Sequence, residues 1–168
     1  MYEAAVATGA ALLATYGPAV LLVAFVLEGA FVGKLIPTRA LFIGAVLALG
    51  SDAVGVATVF VAAVVGATIG QLTVFWLVRR TGLDVEDIPG PIDPATDGRL
   101  EHWFDRWGLP AVALSNSVPV ARGSLVVPAA MTDTGTLRFS SAAVVGTSTY
   151  AGALVALAVG VDALLVAF

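Results

Sequence analysis

Residues 4–27, 53–78 and 139–161 contain no Asp, Glu, Lys or Arg, in uncharged runs of 24, 26 and 23 residues. A helix advances ~1.5 Å per residue, so about 20 apolar residues cross a hydrocarbon layer roughly 30 Å thick. Only 12% of the 168 residues are charged, too few to cover the surface of a soluble domain of this length. The expected class is an all-α integral membrane protein, a single membrane domain over residues 1–168. Glu3 is the only early charge, so a basic leader is missing and the N-terminus is expected to be retained.

The absence of cysteine excludes disulfide and thiolate chemistry. His102 is the only histidine, which argues against a His-based metal site, so no metal or cofactor is expected. Seven Arg and one Lys face twelve acids, a formal charge of −4, without the basic patch that nucleic acid requires. An acidic, lysine-poor surface points to a salt-loving source such as a halophilic archaeon.

Residues 82–98, "GLDVEDIPGPIDPATDG", hold five acids, three prolines and no base. They read as a solvated connector, and the acids do not follow the alternating spacing of an EF-hand. On either side the chain repeats an order of features. The first half, 17–80, follows Tyr16 and opens Gly17-Pro18-Ala19-Val20, then reaches Ile36-Pro37-Thr38-Arg39 and the run 53–78. The second half, 109–168, follows Trp107-Gly108 and opens Leu109-Pro110-Ala111-Val112, then reaches Val118-Pro119-Val120-Ala121-Arg122 and the run 139–161. Between connector and second half, residues 99–108 carry Trp103, Phe104 and Trp107 among charges, an amphipathic interfacial segment to which His102 belongs.

Basic residues near helix ends favour the cytoplasm. Arg79, Arg80, Arg99 and Arg106 therefore place loop 82–106 there, and Arg138 asks the same for the start of the last helix. Residues 109–131 must then leave and return on one side, and 23 residues are too few for two full crossings. Pro119 and Pro128 interrupt the hydrogen-bond ladder and Gly123 weakens it, so two half-helices dipping into the membrane are expected. Residues 17–50 form the matching hairpin, broken around Gly33–Pro37. The fold expected is two opposed re-entrant helical hairpins, each followed by a long transmembrane helix, as an inverted repeat. Ala62, Gly66 and Gly70, and likewise Gly152, Ala156 and Gly160, supply small-residue faces for close helix contact.

Glu28, Pro37, Phe104, Gly108, Pro119, Arg122, Met131 and Phe139, in that order, resemble the DedA family, also described as the VTT-domain or SNARE-associated Golgi protein membrane family. The resemblance spans roughly residues 17–160. It implies opposed re-entrant hairpins and transport of lipids, through proton-dependent recycling of polyprenyl-phosphate carriers or phospholipid translocation. It also implies functional acids in the first hairpin, matched by Glu28, and arginines in the second, matched by Arg122. The chain departs from the family where Arg39 replaces a frequent second acid and Asn116 a frequent arginine. Glu28, Arg39 and Arg122 sum to −1 + 1 + 1 = +1, against 0 for two acids and two arginines.

An arginine near the bilayer centre costs roughly 2.5–3.5 kcal/mol on insertion scales, so Arg122 needs a partner or a wet cavity. Its planar fork suits phosphate. Arg122 and Arg39 are expected to bind a lipid phosphate, with Asn116, Ser115 and Ser117 donating hydrogen bonds and half-helix N-termini adding positive dipole ends. Glu28 is expected to pair an arginine in the empty site and to couple a proton. Pro37, Pro119 and Gly123 would form the breaks. Lys34 reads as snorkelling, and Asp52 and Asp162 as boundary acids.

The function expected is a flippase or scramblase in the cell membrane, multi-pass, with anionic membrane lipids as partners and a homo-oligomer compatible with so short a chain. The competing classes are a non-transporting assembly protein and an enzyme acting on lipid phosphates. The enzyme reading lacks a nucleophile–base pair or a cluster of closely spaced aspartates.

Overall fold

The computed structural model describes residues 8, 11–13, 15–31, 36–49, 52–82, 102–119 and 121–167, with side chains followed as far as Gly160. Among them all regular structure is helical: α1 (Ala19–Gly29), α2 (Thr38–Leu49), α3 (Ala53–Thr81), α4 (Leu109–Ser117), α5 (Val126–Met131) and α6 (Thr136–Ala167). A further helical segment occupies 102–107. The acidic connector beyond Gly82, with Gly33, Lys34 and Arg99, lies outside the described residues.

Two helices are long and apolar enough to cross a membrane, Ala53–Thr81 and Thr136–Gly160. The ends of α3 follow from its sequence. Asp52 caps the start, its carboxylate accepting from Gly55 N at 2.7 Å. Arg79 and Arg80 fill the last turn, where cations suit the negative helix end, and Gly82 closes it at φ +64°.

Residues 109–131 are not one rod. Gly108, at φ +57°, turns the chain into α4, and Pro110 sits in the first turn, where no N–H partner is lost. Extended Val118 followed by Pro119 ends the helix. Turns through Gly123, at φ +78°, lead into α5. Pro128, expected to interrupt the ladder, does not. It is the third residue of α5, within the turn whose N–H groups have no intrahelical partner. In the first half Gly17 (φ +61°) precedes α1 as Gly108 precedes α4. Pro37 stands just before α2, its carbonyl accepting from Leu41 N at 3.0 Å.

Apolar residues gather in two cores. One joins α1 and α2 to Val59–Ala67 of α3 and Tyr150–Ala158 of α6. The other joins α4, residues 125–130 and Phe104 to Val74–Val78 of α3 and Phe139–Ala143 of α6. The start of α3 thus shares a core with the far part of α6, and its end with the start of α6, so the long helices run antiparallel. Each first arm packs on the long helix of its own half, α1 on α3 and α4 on α6. Each second arm crosses over, α2 to α6 and α5 to α3.

Both first arms dock on a glycine. A Cβ on Gly66 would meet the Leu22 carbonyl oxygen at 2.5 Å and Phe25 Cβ at 3.1 Å. On Gly146 it would press on the Ala113 carbonyl oxygen and Asn116 Cβ. Counted from Gly17 and Gly108, Leu22 matches Ala113 and Phe25 matches Asn116, so the two halves reuse one contact. The face expected on α6 is therefore corrected. Gly152 and Gly160 have open space around them, and Gly146 makes the close approach.

Candidate functional site

A polar layer separates the two cores. On α3 it holds Thr68 and Gln71, and on α6 Thr147, all buried; Asn116 reaches it from α4. Burying such groups is costly unless each finds a partner, so the layer is where function is to be sought.

Arg122 follows the break after α4, and Glu28 stands in the last turn of α1. Arg122 Nη1 donates to Glu28 Oε1 at 3.2 Å and Oε2 at 3.4 Å. The arginine side chain is 8% exposed and the glutamate 25%. Two aromatic faces bracket the guanidinium, with Cζ 4.4 Å from the Tyr150 centroid and 5.4 Å from that of Phe25. Arg122 Nη2 is buried and has no hydrogen-bond partner. The sheltered charge is thus paired on one nitrogen and free on the other.

Arg39, on the first turn of α2, is exposed, in contrast to Arg122. Its Nε donates to the Tyr150 hydroxyl at 3.1 Å and its Nη2 to the Pro119 carbonyl at 3.2 Å. Tyr150 joins the two cations, one on its hydroxyl and one on its face.

The three expected donors beside Arg122 are already engaged. Ser115 Oγ donates to Val112 O at 3.0 Å, and Ser117 Oγ to Ala113 O at 2.9 Å. A hydroxyl has one hydrogen, and each returns it to the turn of α4 beneath it. Asn116 exchanges hydrogen bonds with Gln71, and its Oδ1 also accepts from Gly123 N at 3.1 Å. Asn116 and Gly123 therefore shape the break.

The two breaks touch. Phe31, just past α1, holds φ +60°, a strained conformation for a bulky residue. Its ring lies so close to Gly123 that an added Cβ would meet Cζ at 3.0 Å. Positive φ and this contact together require glycine at 123. At the far end of the second core, Arg79 donates to the carbonyls of Ala130 and Thr132, at 3.2 and 2.7 Å, covering acceptors left open at the end of α5.

Phe25, Gln71, Thr147 and Tyr150 were not among the residues expected here. The one available signal was polarity within an uncharged run, since Gln71 lies within 53–78 and Thr147 and Tyr150 within 139–161. Trp103 and Trp107 are exposed while Phe104 enters the second core, and His102 is exposed. Among the described residues no group of His, Cys, Asp and Glu gathers to hold a metal ion.

A family model described as VTT domain matches residues 36–160, which includes α2 to α5 and most of α6. No curated protein and no solved structure matches the chain.

Proposed function

We propose that this chain, which belongs to the VTT domain family, carries a phosphate-bearing lipid across the bilayer, a polyprenyl phosphate or a phospholipid. The single observation behind this reading is Arg122: bonded to Glu28 through Nη1, walled by two rings, with Nη2 buried and unpaired. A charge is tolerated at such depth where it serves a ligand pathway.

In the empty site Glu28 occupies one side of the guanidinium. A lipid phosphate approaches Nη2, and protonation of Glu28 frees Nη1, so that both edges of the fork face the phosphate oxygens. Arg39 supplies a second cation nearer the surface. No covalent chemistry is required, so the protein acts as a transporter and not as an enzyme. The antiparallel long helices, the exchanged second arms and the shared glycine contact support two re-entrant hairpins related as an inverted repeat. Such broken helices commonly frame a transporter's substrate site. The protein then sits in the cell membrane as a multi-pass protein with loop 82–106 cytoplasmic.

The test is lipid translocation in vesicles carrying the purified chain. Arg122→Ala is expected to abolish it with folded yield retained, and Arg122→Lys, which keeps charge but not the fork, to retain part of it. The outward small residues Gly152, Ala156 and Gly160 favour the second reading, an assembly protein working through contacts with a further copy. That reading requires undiminished activity in Arg122→Ala.

A further inference from the structure

Thr147 is completely buried and its hydroxyl has no hydrogen-bond partner. Helical threonines ordinarily return the hydroxyl hydrogen to the carbonyl four residues back. Thr58, Thr68, Thr73 and Thr149 of this chain do so. Thr68, buried in the same polar layer on the opposite long helix, is the direct contrast, bonding Val64 O at 2.7 Å. The Thr147 hydroxyl does not bond its own backbone in this way.

Its neighbours on α6 border the surroundings of Arg122. Gly146 abuts Asn116, whose Oδ1 holds the Gly123 amide next to Arg122. Tyr150, three residues on and on the same side of α6, carries Arg122 on its ring. Arg122 Nη2 and Thr147 Oγ1 are the two buried side-chain polar atoms without a partner among the described residues, and both residues border Tyr150, Arg122 on its ring and Thr147 one helical turn before it. Two orphaned donors bordering the same tyrosine describe a site for an acceptor.

We infer that Thr147 Oγ1 and Arg122 Nη2 together hold one oxygen of the lipid phosphate, so that Thr147 determines specificity for phosphate-bearing headgroups. The inference rests on the transport reading above. Phosphate offers only acceptors, which suits a guanidinium N–H beside a hydroxyl that has one hydrogen to give. Phosphodiester and phosphomonoester lipids share this oxygen, and the experiment separates them.

The full chain is reconstituted in phosphatidylcholine vesicles doped either with phosphatidylglycerol or with a polyprenyl phosphate, and translocation of the dopant is measured. Thermal unfolding is recorded in parallel. Thr147→Val keeps the shape and removes the hydroxyl. Because no bond is lost, it is expected to melt at or above the wild-type temperature. Translocation of the favoured dopant is expected to fall roughly ten-fold or more, as for a lost hydrogen bond to a charged group, with Thr147→Ser restoring it. Wild-type translocation in Thr147→Val, with loss in Arg122→Gln, would overturn the role of Thr147 and leave the transport reading standing. Undiminished translocation in both variants would overturn both. A lowered melting temperature shared by Thr147→Val and Thr147→Ala, with translocation intact, would assign the hydroxyl to a structural water and overturn the inference.

Discussion

Gln71 and Asn116 bind each other twice: Gln71 Nε2 donates to Asn116 Oδ1 at 2.9 Å, and Asn116 Nδ2 donates to Gln71 Oε1 at 3.0 Å. The pair ties the end of α4, just before the break, to the long helix α3. Through the Gly123 amide it also fixes the turn that presents Arg122. At this position a neutral amide is matched by a neutral amide. The polar layer thereby keeps its hydrogen bonds without adding a charge.

Removing one member of that pair is expected to cost more than removing both. Asn116→Leu strands the Gln71 carboxamide and the Gly123 N–H in an apolar setting, and each stranded group costs about 1–3 kcal/mol. The double variant Gln71→Leu/Asn116→Leu leaves one orphan fewer, so its loss should be smaller than the sum of the singles. Thermal unfolding in detergent across the cycle measures the coupling. Strict additivity would show that the two amides do not depend on each other.

Glu28 is expected to set the pH response of transport. Glu28 occupies Nη1 in this structure, and losing its charge would weaken that hold in favour of phosphate. Glu28→Gln fixes the neutral form, so the rate in vesicles should lose its dependence on pH while a basal rate persists. A Glu28→Gln rate that follows pH like the wild type would move proton coupling to another group.

What the sequence disclosed tracks energetic cost. A charge in hydrocarbon is expensive enough that Glu28 and Arg122 announced each other across 94 positions. Pro119 and Gly123 cannot continue a helix, and the chain breaks between them. Residues with smaller costs stayed hidden. Tyr150, Gln71 and Thr147 are set by how α3 and α6 are rotated, and helices apolar on every side carry no period from which to read that rotation. For the same reason Gly146 could not be told from Gly152. Pro128 misled because a proline's effect depends on its distance from a helix start that the sequence did not mark. Ser115 and Ser117 bond the carbonyls beneath them, a local choice that the sequence leaves open for any helical hydroxyl.

That distinction between glycines gives a direct comparison. In Gly66→Ala the new Cβ would sit 2.5 Å from the Leu22 carbonyl oxygen, so α1 must move off α3. A loss of roughly 1–3 kcal/mol is expected, as for an overpacked core. Gly152→Ala meets nothing and should gain up to about 1 kcal/mol from helix propensity. Unfolding temperatures of the two proteins should therefore shift in opposite directions. An equal loss in Gly152→Ala would mean that this face is covered in the assembled protein.

Tyr150 allows its two roles to be separated. Tyr150→Phe keeps the ring over Arg122 and removes only the acceptor for Arg39 Nε, leaving that arginine its bond to the Pro119 carbonyl. Tyr150→Leu removes both, including a cation–π contact worth about 0.5–2 kcal/mol in a desolvated setting. If the face positions Arg122, Tyr150→Phe should translocate lipid within about three-fold of wild type and Tyr150→Leu should fall roughly ten-fold, with the loss in apparent lipid affinity. If the hydroxyl–Arg39 link matters more, Tyr150→Phe should be as impaired as Arg39→Gln, and combining the two should add nothing. Lipid titrations of the four proteins decide between them, because the buried guanidinium meets the face of Tyr150 and the exposed one its hydroxyl.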